Sequence, residues 1–182
     1  MPARTGVDGG RSAWLPTDAM DDAAANGHLK VVKCLHTHRS EGCTTAAMDT
    51  AAANGHLDIL HWLHENRSEG CTAKAIEHTV LYGHLEVVRW LVLNTAAECT
   101  AEAMDGAVRH GDLDMVKLLF KTRAECFSAK AIDTAIKFGH LRVASWLRKL
   151  FPEYIPERVY GTHDFEKLLD MECSVSRPHQ RD

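Results

Sequence analysis

AAANGHLDIL, residues 51–60, stands 28 positions after AAANGHLKVV, residues 23–32. A catalytic motif is needed once in a chain, whereas a structural unit is written as often as it is stacked. The spacing of this phrase is therefore settled before any residue is assigned chemistry. GHL occurs at Gly27, Gly55, Gly83 and Gly139, and GDL at Gly111, so each step (27 to 55, 55 to 83, 83 to 111, 111 to 139) is 28 residues. Three other columns keep the same step: Ala19, Ala47, Ala75, Ala103 and Ala131; Met20, Met48, Ile76, Met104 and Ile132; Leu35, Leu63, Leu91, Leu119 and Leu147. Five units in register at this many positions define a repeat array.

Each unit reads as two helices. In the first, Met48, Ala51 and Ala52 fall at i, i+3 and i+4, as do Ile132, Ala135 and Ile136, and this spacing is one face of a helix. Thr44, Thr72, Thr100 and Ser128 stand ahead of it, where a hydroxyl caps the first unpaired N–H groups. The glycine that follows suits the left-handed conformation that ends a helix. Asn54-Gly55 is also a hairpin signal, but helical periodicity on both sides overrides it. The second helix begins at His-Leu and carries Leu85, Val87, Val88, Trp90 and Leu91. That apolar set is wide enough to pack on its own partner and on both neighbouring units. Runs such as RSEGCT (67–72) then lead to the next cap; they are polar and short, with no strand signal.

These residues resemble the ankyrin repeat. AMDTAAANGHLDILHWL (47–63) and AIEHTVLYGHLEVVRWL (75–91) lie along that family's Pro-Leu-His-x-Ala-Ala-x-x-Gly-His core and the Leu-Glu-Val-Val-x-x-Leu-Leu after it. The resemblance covers residues 17–150 and implies an all-α solenoid of five stacked helix-turn-helix repeats. There are departures. The family's unit is about 33 residues, and the residues missing here fall between the second helix and the next first helix. The family's hairpin fingers are therefore expected to be short or absent. Asp21, Asp49, Glu77, Asp105 and Asp133 stand where the family has the His of its Thr-Pro-Leu-His start. Short units bearing Trp and Cys are similar to those of large ankyrin arrays in oomycetes and some protists. The resemblance also implies that His28, His56, His84 and His140 bridge backbone across neighbouring turns.

With 182 residues the chain is long enough for one domain with a real core. A formal net charge of −4 offers no basic excess for nucleic acid or an anionic membrane. The start, MPARTGVDGGRSAWLP, lacks the apolar region of a signal peptide, and no run approaches the ~18 apolar residues of a membrane span. The expected location is cytoplasmic or nuclear, and the expected state a monomer without nucleic-acid or membrane partners. The expected organisation is a flexible segment over 1–16, the five-unit array over 17–150, a capping segment over 151–173 and a disordered tail over 174–182. Within the capping segment Phe165, Leu168 and Leu169 keep the helical i, i+3, i+4 spacing.

The residues that carry chemistry elsewhere are spent on the repeat. No P-loop, dinucleotide fingerprint or nucleophile elbow occurs. The acidic column recurs once per unit near a helix start, where the helix dipole favours negative charge; it is a fold column, not a catalytic pair. Cys43, Cys71 and Cys99 keep the repeat step, with Cys126 displaced by one. Equivalent positions in stacked units lie roughly 8–10 Å apart, beyond the ~7 Å Cα limit of a disulfide, so half-buried thiols at loop-to-helix junctions are expected. His61 and His64 with Cys71, and the looser echo His36, His38 and Cys43, have spacing that can bind zinc. There is no CxxC and no placed carboxylate, so they read as a solvated helix face. Arg39, Arg67 and Arg123 share a loop column opposed by Glu41, Glu69 and Glu125, a solvated loop rather than a phosphate site. No catalytic residue, cofactor or metal ligand is expected, and the chain does not read as an enzyme.

Positions that vary between units mark where a partner would bind. With Met48, Ala51 and Ala52 buried, the opposite face of that helix is Ala46, Thr50 and Ala53, with Asn54 at its edge. Units one and two are small there, with Ala25, Asn26, Ala53 and Asn54. Unit three carries Lys74, His78, Leu81 and Tyr82; unit four Arg109 and His110; unit five Lys137 and Phe138. The resemblance implies that this face lines a concave groove, and aromatic residues with Arg are what interface hot spots favour. The expected function is a non-enzymatic scaffold whose protein partner, of unknown identity, sits on units three to five. The competing readings are that Tyr82 and Phe138 pack between units, and that the chain is a structural spacer or a fragment of a longer array. A metal- or redox-responsive module is the remotest alternative.

Overall fold

The computed structural model describes residues 17–122 and 130–153. Among these residues there are ten helices and no strand: α1 (Asp18–Ala25), α2 (Leu29–His38), α3 (Thr45–Ala53), α4 (Leu57–Asn66), α5 (Ala73–Leu81), α6 (Leu85–Asn94), α7 (Ala101–His110), α8 (Leu113–Thr122), α9 (Ala131–Lys137) and α10 (Leu141–Leu150). They pair as consecutive hairpins, α1 with α2 through α9 with α10. The segments 39–44, 67–72 and 95–100 that join the hairpins carry no strand, so the described linkers form no family-type finger.

The helix ends follow from the threonine and glycine columns. Thr44, Thr72 and Thr100 have extended backbones, and their hydroxyls accept from Ala46 N at 3.1 Å, Lys74 N at 3.3 Å and Ala103 N at 3.4 Å. Ser128, the cap expected in the next unit, lies outside the described residues. At the end of α3 the His56 amide donates to the Ala51 carbonyl at 2.9 Å and the Gly55 amide to Ala52 at 3.0 Å. That pair of bonds closes a helix through a left-handed residue, and Gly55 supplies it at φ +79°. His56 follows with an ordinary negative φ and opens α4.

The core is built from two kinds of column. The first helices contribute small residues: Ala47, Ala51, Ala52, Ala75, Ala103, Ala107, Ala131 and Ala135 are buried. The second helices contribute large ones, including Ile59, Leu60, Leu63, Leu91, Leu119 and Leu147. Interaxial distance depends on the side chains at the contact. First helices therefore approach closely along the series α1, α3, α5, α7, α9, while successive second helices meet more sparsely.

The acidic column does more than its expected role beside its own helix. Asp21 Oδ1 accepts from the Thr44 amide at 2.9 Å, and its Oδ2 from the Thr44 hydroxyl at 2.6 Å. The same clamp joins Asp49 to Thr72, and Glu77 accepts from the Thr100 hydroxyl at 2.7 Å. Each acid thus sits at the N-terminus of the following unit's first helix, where both the unpaired N–H and the helix dipole favour a carboxylate. The column is a fold element, but it acts across the unit boundary.

Candidate interaction surface

The outer face of the first helices changes character along the stack. In units one and two the edge asparagines are spent on backbone: Asn26 Nδ2 donates to the Asp22 carbonyl at 2.8 Å and Asn54 Nδ2 to the Ala25 carbonyl at 2.8 Å. In units three to five the same column holds Tyr82, His110 and Phe138. All eight residues singled out in the sequence are exposed: Lys74, His78, Leu81 and Tyr82 on α5 and its cap, Arg109 and His110 closing α7, and Lys137 and Phe138 closing α9. Tyr82 is 62% exposed and Phe138 46%, so neither is consumed by packing between units.

Two of these units are in direct communication across the surface. The Arg109 guanidinium carbon lies 5.9 Å from the Phe138 ring centroid and the Lys137 ammonium 5.8 Å from it. Both distances fall in the range where a ring face attracts a cation. The ion pairs Arg39–Glu41, Arg67–Glu69 and Arg89–Glu86 do not involve Lys74, Arg109 or Lys137. Units three to five thus present cations and aromatic rings together, whereas unit one presents Asp18 and Asp22 on the same face.

The histidines divide into two structural roles. His140 lies against Gly111 and its Nε2–H donates to the Arg109 carbonyl at 2.8 Å, the bridging role that the family resemblance implied. His56 and His84 lie against Gly27 and Gly55 in the same way. His61 and His64 are exposed, as expected of a solvated helix face, and both also meet Trp90 of the next unit, with ring centroids 5.0 and 5.4 Å apart. His36 meets Trp62 edge-on at 5.1 Å. These imidazoles join neighbouring second helices, a contact that spacing along one helix does not reveal. Among the described residues no group of three His, Cys, Asp or Glu converges as a metal site.

Cys43, Cys71 and Cys99 sit at unit junctions, and Cys34 lies within α2. No disulfide joins those described: Cys34 is exposed, Cys71 half-buried, and Cys43 and Cys99 buried. Burial pushes the Cys43 thiol up to about 11, with the nearby Glu69 carboxylate adding to the rise. Arg67 lies over Gly42 and is hydrogen-bonded to Glu69, which holds that carboxyl below its ordinary value.

Antiparallel helix pairs stacked through alanine columns define an all-α repeat solenoid. Ankyrin repeats, in three copies, match residues 20–103. The crystal structure of the human ASB11 ankyrin repeat domain is similar with a TM-score of 0.59, over 72% of this chain and 68% of that one, at 16% identity. No curated protein matches. Residues 20–103 of the chain thus carry ankyrin repeats. Ankyrin repeats generally mediate protein–protein interaction, and the fold is typically non-enzymatic. No helix among the described residues is long and apolar enough to cross a membrane.

Proposed function

We propose that this chain is a non-enzymatic scaffold that binds a protein partner along the first-helix face of α5, α7 and α9. The observation that carries the reading is the exposed set Lys74, His78, Leu81, Tyr82, Arg109, His110, Lys137 and Phe138, in which cations stand beside the exposed side chains of Leu81, Tyr82 and Phe138. A partner whose segment carries Asp or Glu complements Lys74, Arg109 and Lys137, against which the same face sets only Glu102. Binding proceeds by steric and charge complementarity on a rigid surface, with no covalent step. The proposed organisation keeps the array at 17–150 with a capping segment at 151–173, in a monomer working in the cytoplasm or nucleus.

The test is capture from the chain's own cell lysate beside a variant carrying Tyr82→Ala, Arg109→Ala and Phe138→Ala, with circular dichroism to establish that the variant folds. A protein held by the native chain and lost by the folded variant supports the reading. Equal capture by both places the site on another face. Reproducible absence of capture favours a spacer within a longer array.

A further inference from the structure

We propose that the junction between the third and fourth units is a binding slot for an imidazole side chain, which a docked protein partner inserts from one of its own histidines. Three other junctions show what such a slot holds. The rings of His56, His84 and His140 lie so close to Gly27, Gly55 and Gly111 that a Cβ on any of these glycines would fall inside 3.0 Å of a ring atom. At the Gly111 junction a carbonyl beside the glycine supplies the ring with a polar anchor. Arg109 O accepts from His140 Nε2 at 2.8 Å, and Ala25 O, in the same column, accepts from the Asn54 amide at 2.8 Å.

The third junction departs by one residue. Asp112 stands in the histidine column. Its Oδ1 accepts from the Asp114 amide at 3.0 Å and the Met115 amide at 3.1 Å, which turns the carboxylate onto the start of α8 and away from the preceding unit. Gly83 is consequently exposed, with nothing within 4 Å of where its Cβ would stand. The backbone there keeps the shape of its siblings, with φ +77° at Gly83 against +76° at Gly111. Leu81 occupies the column of Ala25 and Arg109, and among the described residues no donor reaches its carbonyl.

These features select the ligand. The glycine offers a flat apposition surface, and the carbonyl needs an N–H or O–H. A phenyl ring lacks the donor and an ammonium lacks the flat face; imidazole supplies both, and it is the ring that the junctions at Gly27, Gly55 and Gly111 hold. The rim is formed by Leu81 and Tyr82, both exposed and both on the face assigned to docking. The inference rests on that docking reading for the partner, but the slot is testable without one.

The experiment is an NMR titration of the isotope-labelled chain with imidazole alone, beside the D112H variant. This substitution restores the repeat phrase and lays the chain's own ring against Gly83. The expected result is a saturable shift of the Gly83 and Leu81 amides in the native chain, none at Gly27, Gly55 or Gly111, and loss of the shift in folded D112H. Capture of the partner by D112H should fall about tenfold, the worth of one well-made polar contact with its ring. An unmoved Gly83, or an equal shift in D112H, overturns the slot. If the face variant abolishes capture while Gly83 stays unmoved, the slot fails and the docking reading stands. If Gly83 responds but no partner depends on the face, the docking reading fails and the partner histidine with it.

Discussion

Asp49 grips Thr72 through both carboxylate oxygens, one accepting from the backbone amide at 2.8 Å and the other from the hydroxyl at 2.6 Å, across 23 residues of chain. Asp49 is only 8% exposed, so neither oxygen has water as an equal alternative. Bonds to a charged group contribute about 1.5–3 kcal/mol, and removing one partner leaves buried groups unsatisfied. Asp49→Ala should therefore destabilise the array by roughly 2–3 kcal/mol. Glu77→Ala, which loses the hydroxyl bond alone among those recorded to Thr100, should cost less. Urea denaturation of the two variants decides it; equal costs would show that the amide bond adds nothing.

The close packing of the first helices depends on the alanine columns, and Ala75 is fully buried where α5 meets α3 and α7. Ala75→Leu forces extra methylenes into a close-packed contact, which typically costs about 1–3 kcal/mol. The same substitution at exposed Ala46 should be within about 0.5 kcal/mol of neutral. Thermal melts of both variants check the contrast, and a tolerated Ala75→Leu would mean that the first helices are not in register as described.

Much of this was legible before any coordinates. The 28-residue step placed the helix pairs, and the Thr and Gly columns placed their ends, because capping and left-handed closure are local and carry fixed residue types. Helical periodicity also picked out the exposed edge that carries Tyr82 and Phe138, but it placed Ala53 on the open face, where the structure buries it. Contacts between units were not legible. Asp49 reads as a helix-start acid because its target, Thr72, belongs to the next unit, and the contact that exposed His64 makes with Trp90 is hidden because Trp90 also belongs to the next unit. The open junction at Gly83 was visible only as GDL in place of GHL, and its meaning required the position of the sibling rings.

The thiols should separate by reactivity. Cys34 is exposed, whereas burial pushes Cys43 up to about 11. The thiolate is the nucleophile, so at about pH 8 roughly one Cys43 in a thousand is reactive. Limiting iodoacetamide followed by peptide mass spectrometry should label Cys34 first and leave Cys43 protected in the folded chain. The stability consequence has a definite sign. Below the ordinary thiol value of 9.0 both folded and unfolded chains keep the proton, so the contribution is fully present; it is lost as pH rises from there through about 11, where the unfolded chain ionises first. Early labelling of Cys43 would show that its junction opens on the timescale of the reaction.

The two glycines Gly83 and Gly111 share a left-handed backbone but differ in what lies beside them. Alanine at either site meets the cost of a positive φ, about 1–2 kcal/mol. At Gly111 the new methyl also runs into the His140 ring, which must move and give up its bond to the Arg109 carbonyl. That bond and the packing around it are worth about another 1 kcal/mol or more. At Gly83 the methyl enters open space. Gly111→Ala should therefore be at least about 1 kcal/mol more destabilising than Gly83→Ala. Chemical denaturation of the paired variants measures the difference directly. Adding His140→Ala to Gly111→Ala should cost less than His140→Ala alone does in the native background, because the ring is already displaced. Equal costs at the two glycines would mean that the ring does not lie against Gly111, and the template for the Gly83 slot would go with it.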